Sequence, residues 1–176
     1  MSINAEIIEA AKKIKLLLLD VDGVLTDGRL YYGNTGEEMK AFNIQDGLGI
    51  KLLQQGNVQV GIITGRVSAL LQRRADELGI NPVIQGREDK LTALNELLET
   101  MDVAMDEIAF MGDDLPDLAV IQRVGLGITP ANGSGTLKQQ AQWQTSNRGG
   151  DGAVREVAEM ILTAQGSLDR VVALYQ

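Results

Sequence analysis

The chain contains no histidine and no cysteine. Those two absences together remove the Ser-His-Asp triad, the Cys-His pair, phosphohistidine transfer and the usual zinc ligands. Disulfides are excluded as well, although a lack of cysteine does not by itself fix the compartment. Aromatic residues are scarce at 3%, and 24 acids against 16 bases leave a net charge of −8 with a pI near 4.6. Such a composition offers neither a footprint for a phosphate backbone nor a platform for stacking bases, so no nucleic-acid partner is expected. The apolar run Leu16–Leu19 is too short to span a membrane. Ahead of it, Glu6 and Glu9 alternate with Lys12, Lys13 and Lys15, which is not the layout of a signal peptide. No membrane association and a cytoplasmic location are therefore expected.

What is present is oxygen chemistry. A carboxylate can act as a covalent nucleophile toward phosphorus, and clustered carboxylates with main-chain carbonyls suit magnesium better than any softer metal. An acidic protein that handles an anionic substrate must supply local cations, which gives weight to a metal and to individual Lys and Arg residues. With 176 residues, 44% of them hydrophobic, the chain can bury one sizeable core, and a single domain over residues 1–176 is expected.

Strand-like apolar runs at Lys15–Asp20, Val58–Thr64, Pro82–Gln85, Glu107–Met111 and Val124–Thr129 alternate with helical patterns at Asp46–Gln55, Ser68–Leu78, Lys90–Met101, Asp117–Arg123 and Ala153–Ala164. That alternation predicts an α/β fold, a Rossmann-like parallel sheet flanked by helices. Residues Gly28–Phe42 break the pattern. Arg29–Tyr32 and Glu38–Phe42 read as two strands around a Gly33-Asn34-Thr35-Gly36 turn, a β-hairpin projecting from the first strand. A lone hairpin is marginal in water, so it is expected to pack on something, a neighbouring subunit being the simplest choice and a surface flap the alternative.

The first strand ends abruptly in Asp20-Val21-Asp22-Gly23. Acids at the carboxyl end of a parallel strand lie in the crevice where α/β proteins bind ligands. Later strands end in Ile63-Thr64-Gly65-Arg66 and Met111-Gly112-Asp113-Asp114-Leu115-Pro116-Asp117, and Lys90 opens the helix between them. Taken singly, Thr64-Gly65-Arg66 is an ordinary strand-to-helix turn, Lys90 a solvated charge, and Asp113–Asp117 a set of acids at a helix start. An EF-hand reading of Asp20 fails, because Leu25 and Tyr31 stand where Gly and Glu are required. Together the motifs supply what transfer of a phosphoryl group to a carboxylate needs. Asp113 can join Asp20 on magnesium, Thr64 can bind phosphate oxygens, Lys90 can hold both phosphate and Asp20, and Asp22 can protonate the leaving oxygen and later activate water.

At these residues the chain resembles the haloacid dehalogenase superfamily of aspartate-nucleophile phosphatases, whose four motifs match Asp20-x-Asp22, Thr64, Lys90 and Gly112-Asp113-Asp114-x-x-Asp117 in order. The resemblance implies Asp20, Asp22, Thr64 and Lys90 as catalytic residues. It implies magnesium on Asp20, Asp113 and the main-chain carbonyl of Asp22, with Asp114 and Asp117 either supplying a further ligand or holding Asp113 and coordinated water from behind. The short intervals between motifs leave no room for a cap domain, so a neighbouring subunit is the expected lid.

In this respect the chain is similar to the capless 3-deoxy-D-manno-octulosonate 8-phosphate phosphatase family of lipopolysaccharide biosynthesis. The likeness rests on Asp20–Gly28, Phe42–Gly47, Thr64–Arg66, Gly112–Leu115 and Gly152–Val157. It implies a phosphorylated sugar acid as substrate. The contacts would come from Asn43, Ile44, Gln45, Asp46 and Gly47, from Asp22 and Gly65, and from the cations Lys51, Arg66, Arg74 and Lys90. It also implies a homotetramer with the hairpin and the C-terminal loop at subunit contacts.

Two segments depart from that family. Arg148-Gly149-Gly150-Asp151-Gly152 carries Asp where the family has Arg, and Pro130-Ala131-Asn132-Gly133-Ser134-Gly135 lacks the usual Asp-Ala-His-Pro. An Asp closing over an anionic substrate would repel it unless Arg148 compensates. Three alternatives stay open: a sister phosphatase for a nine-carbon 9-phosphate, disfavoured by Arg66; a phosphoaspartate signalling module; and a silent magnesium-binding scaffold.

Overall fold

A computed structural model describes residues 3–34 and 38–176. Its centre is β1 (Leu16–Leu19), whose four leucines are all fully buried. Successive side chains of a strand point to opposite faces. Leu17 and Leu19 accordingly join one hydrophobic core, while Leu16 and Leu18 join another on the far side of the sheet. A strand covered on both faces has no polar side, which is why this run does not alternate.

Six parallel strands make the sheet, in the order β5 (Val83–Ile84), β4 (Gln59–Ile63), β1, β6 (Ile108–Met111), β7 (Leu126–Thr129) and β8 (Trp143–Gln144). On one face lie α1 (Ala5–Lys13), α2 (Ile44–Gln55), α3 (Ala69–Leu78), α7 (Ala153–Ala164) and α8 (Leu168–Val172), which contribute Ile7, Leu53, Leu71, Val157 and Val171 to the first core. On the other lie α4 (Lys90–Leu98), α5 (Leu118–Ile121) and α6 (Gly135–Gln140), which contribute Leu94, Ile121 and Leu137 to the second.

The alternation read from the sequence is the fold observed, with different edges. The helix expected from Asp46 begins two residues earlier, because the Asn43 side chain caps it by accepting from the Gln45 N–H at 2.7 Å. The one expected to reach Met101 stops at Leu98, and the one expected over Asp117–Arg123 is a single turn after a 3₁₀ segment, Leu115–Asp117. Among the described residues, α1, α6, α8, β8 and the 3₁₀ turns Met105–Glu107 and Ala173–Tyr175 were not anticipated.

Strands β2 (Tyr31–Tyr32) and β3 (Glu38–Met39) pair antiparallel, Tyr31 opposite Met39, and form the projecting hairpin. Each is shorter than expected, and Thr35 and Gly36 of the expected turn lie outside the described residues. Tyr32 and Met39 are about two-thirds exposed. Among the described residues, only the hairpin and α2 separate β1 from β4, and only α3 and β5 separate β4 from α4, so no cap domain is present.

Candidate active site

Strand order reverses at β1: the chain leaves it for β4 on one side and returns as β6 on the other. Open α/β sheets hold ligands at such a switch point, beyond the carboxyl ends of the strands. Leu19 is in register with Ile62 and with Met111, so Asp20, Thr64 and Asp113 leave three neighbouring strands at nearly the same level. Asp20 donates its own N–H to the carbonyl of Met111 at 2.9 Å, which fixes the loop at its root.

Lys90, first residue of α4, is buried and reaches two carboxylates, Asp20 Oδ1 at 2.9 Å and Asp117 Oδ1 at 2.5 Å. The second oxygen of Asp117 accepts from the backbone N–H groups of Asp113 and Asp114, at 2.9 and 3.2 Å. Asp117 is thereby committed on both sides. It can sit this close because residue 112 is glycine, where a Cβ would lie 2.3 Å from Asp117 Cγ. Gly23, with φ of +90°, likewise leaves room for the carboxylate of Asp113.

Carboxylate oxygens of Asp20, Asp113 and Asp117 lie within 4.8 Å of one another. Three acids thus share one buried ammonium. Burial, then the charge of Asp117, pushes the Asp20 carboxyl up to about 6 against the pull of Lys90. Burial, then Asp20, Asp117 and Asp114, pushes Asp113 up to about 7. Burial alone would lower Lys90, but Asp20 and Asp117 outweigh it and hold the ammonium above its ordinary value. Excess negative charge among hard oxygen donors is the condition a divalent cation relieves. The residues fit magnesium. Since Asp117 is occupied by Lys90 and two amides, Asp20 and Asp113 are the side chains left to hold it.

This predicts an unusual pH profile for the metal-free fold. The unfolded chain releases these protons near 3.8, the fold only near 6 and 7, so the native state binds more protons in between and loses stability as pH rises through that window. In chelator, the melting temperature is expected to fall between about pH 5.5 and about pH 8, and Asp113→Asn to flatten the fall. Added magnesium should raise it more at the upper pH. A metal-free melting temperature that climbs with pH, equally in Asp113→Asn, would contradict the charge balance described.

Asp22 faces other partners. Lys40 Nζ lies 2.5 Å from its Oδ1 and Arg66 Nε 3.4 Å from its Oδ2. Lys40 follows β3 directly and its side chain is only 3% exposed, yet nothing in the sequence pattern singled it out. The hairpin is therefore tied into the site. Thr64 is buried at the end of β4, with its N–H donating to Ile84 O and its carbonyl accepting from Arg87. Gly65 is half-buried beside it. Asp114 caps the 3₁₀ turn through the Leu115 N–H.

The residues expected to meet the sugar are dispersed. Gln45 and Ile44 are exposed, Ile44 at 82%. Asn43 donates from Nδ2 to Gly150 O at 3.4 Å. Asp46 is buried, and its carboxylate accepts from the N–H groups of Gly152 and Arg155 at 3.3 and 3.0 Å. Helix α7 begins at a glycine that has no side chain to cap it, and Asp46 does so from α2. Burial raises its pKa against those amide bonds. Arg74 lies over Gly47 and pairs with Glu77 at 3.4 Å, and Lys51 reaches the Glu77 carbonyl, also at 3.4 Å. A groove of about 160 Å³ is lined by Lys40, Phe42, Leu70, Arg73, Arg74 and Glu77.

Both departing segments close over the acid loop of their own chain. Asn132 donates from Nδ2 to Gly23 O at 2.9 Å and accepts from Gly149 N–H at 2.6 Å, while Gly150 N–H donates to Val24 O at 2.9 Å. Ser134 N–H donates to Asp113 O at 2.8 Å. Arg148 and Asp151 remain exposed.

Comparison with known proteins gives concordant results. Residues 82–157 match the model of the haloacid dehalogenase-like hydrolases. The chain is 46% identical over 167 residues to the 3-deoxy-D-manno-octulosonate 8-phosphate phosphatase KdsC of Escherichia coli strain K12, covering 95% of this chain and 89% of that protein. The crystal structure of the phosphatase of that name from Moraxella catarrhalis, in complex with magnesium, phosphate and KDO, superposes with a TM-score of 0.95 at 47% identity, over 97% of this chain and 98% of that one. Its counterpart from Yersinia pestis gives 0.93 at 46% identity, over 95% and 90%. The chain belongs to the 3-deoxy-D-manno-octulosonate 8-phosphate phosphatase family of haloacid dehalogenase-like hydrolases.

Proposed function

We propose that the protein is a magnesium-dependent phosphatase that hydrolyses 3-deoxy-D-manno-octulosonate 8-phosphate through a phosphoaspartate on Asp20, serving lipopolysaccharide biosynthesis from the cytoplasm as a single catalytic domain. The observation that carries this reading is the position of Asp20: buried at the end of the central strand, paired with Lys90, and beside Asp113.

An Asp20 oxygen attacks phosphorus, and the ester oxygen leaves with a proton from Asp22. Water then gives a proton to Asp22 and attacks the phosphoaspartate, releasing phosphate and restoring the Asp20 carboxylate and the protonated Asp22. Thr64 and the Gly65 N–H bind phosphate oxygens, while Lys90 keeps Asp20 aimed and adds positive charge. Held by Asp20, Asp113 and the Asp22 carbonyl, magnesium supplies the charge that lets a carboxylate approach a phosphate. Asp114 and Asp117 brace the loop that carries Asp113.

The groove from Lys40 to Arg74 supports an acidic sugar, because a substrate bearing both carboxylate and phosphate needs cations beyond the site's own. Arg66 lies beside Asp22, and Ile44, Gln45 and Lys51 lie on α2, which Asn43 caps. In a panel of phosphorylated sugar acids, the eight-carbon 8-phosphate is expected to show the highest kcat/KM, by at least about tenfold over a nine-carbon 9-phosphate. The reverse order would reassign the substrate, and stable phosphorylation without turnover would favour a signalling module.

Exposed Leu30, Tyr31, Tyr32 and Met39 make the hairpin an apolar surface suited to another copy of the chain. A homotetramer is expected, closing the open sites, with Arg148 and Asp151 available at its contacts. Light scattering that found a fully active monomer would contradict this arrangement.

A further inference from the structure

We propose that Lys40 is the positioning residue for Asp22, so that the hairpin sets the geometry of proton transfer. This rests on the phosphoaspartate reading above. Asp22 must serve two oxygens in turn, the leaving oxygen of the ester and the attacking water, and its carboxylate has to stay in one place through both steps.

Two cations hold it, from different parts of the fold. Arg66 follows β4 with a side chain 41% exposed, at 3.4 Å; Lys40 follows β3 with a side chain 3% exposed, at 2.5 Å. An exposed guanidinium can swing away to meet substrate. Burial confines the Lys40 ammonium beside Asp22, whose charge compensates part of its desolvation. Lys40 is thus the fixed anchor and Arg66 the adaptable one. The register of Tyr31 with Met39 places Lys40 by a single residue, so the hairpin cannot shift without moving the ammonium. Lys40 also lines the groove that Arg73 and Arg74 share.

In the first step, formation of the phosphoaspartate, an anchor of this kind matters only for a leaving group that needs a proton. Lys40→Met keeps the stem and removes the charge. Single-turnover phosphoryl transfer is measured with excess enzyme on the sugar-acid phosphate, whose alkoxide needs protonation, and on p-nitrophenyl phosphate, whose phenolate does not. The variant is expected to lose about 10²-fold on the sugar phosphate and less than about threefold on p-nitrophenyl phosphate, with little change in KM. Equal losses on both substrates would show a merely structural role and overturn the proposal. So would a raised KM with unchanged kcat, the mark of a substrate-binding cation.

Because the chain has no cysteine, Lys40→Cys introduces a single thiol. Alkylation in denaturant with 2-bromoethylamine, then refolding, restores an ammonium; iodoacetamide adds a neutral group of similar size. Recovery on the sugar phosphate is expected with the ammonium alone, and equal recovery with both reagents, or with neither, would overturn the proposal. If the unaltered enzyme forms no phosphoenzyme, the phosphoaspartate reading fails. If it does and Lys40→Met leaves the ratio of the two substrates unchanged, only the role of Lys40 fails.

Discussion

Asp20→Asn is expected to lower phosphate release by at least about 10⁴-fold while leaving the fold intact. The amide keeps the shape of the carboxylate but cannot attack phosphorus, and every later step depends on that attack. Stability should not suffer. Asp20 is one of three acids around a single lysine, and burial already works against its charge. Removing that charge leaves Lys90 paired with Asp117 at 2.5 Å, a satisfied arrangement. The metal-free melting temperature near pH 8 is therefore expected to hold or rise, and the increase on adding magnesium to shrink. Near-normal phosphate release by a folded Asp20→Asn variant would reject covalent catalysis through this residue.

Lys90→Met is expected to do the opposite, damaging fold and activity together. It removes the ammonium between Asp20 and Asp117 and leaves their carboxylates facing each other in a buried site. Breaking a buried ion pair from one side costs about 3–5 kcal/mol. Since its two partners hold the Lys90 pKa above the ordinary value, the wild-type contribution is present throughout the working pH range and is lost only in strong alkali. The variant should recover part of its deficit as pH falls toward 6, where Asp20 takes up a proton. Urea unfolding at about pH 8 and about pH 6 reads both effects. A loss below about 1 kcal/mol at the higher pH would mean that the three acids do not depend on this cation.

Much of the site was legible because its residues sit where local rules place them. Asp20, Thr64 and Asp113 each end an apolar run, and parallel pairing then brings the three ends to one level. Lys90 opens a helix on the adjoining crossover and was readable for the same reason. Lys40 carried no such signal, since only the return of the hairpin brings it back to a residue 18 positions earlier. Asp46 carried a signal that points elsewhere than the sugar: α7 starts Gly152-Ala153-Val154 with no capping side chain, so its amides need an acceptor from another element.

The unanticipated elements are short or polar. The two residues of β8 and the six of α6 give no period to count, and α1 mixes four charged residues with its buried Ile7 and Ala11. Asn132 was visible only as a departure from family pattern. Its role comes from two loops, distant in sequence, that meet at Gly23.

Trapping the covalent enzyme tests the central claim most directly. Rapid acid quench during turnover, reduction with borohydride and peptide mapping by mass spectrometry convert a phosphoaspartate into homoserine at its own position. Homoserine at position 20, absent without substrate, is the expected result. Turnover with Asp20 unmodified, or with the label on another carboxylate, would contradict the account.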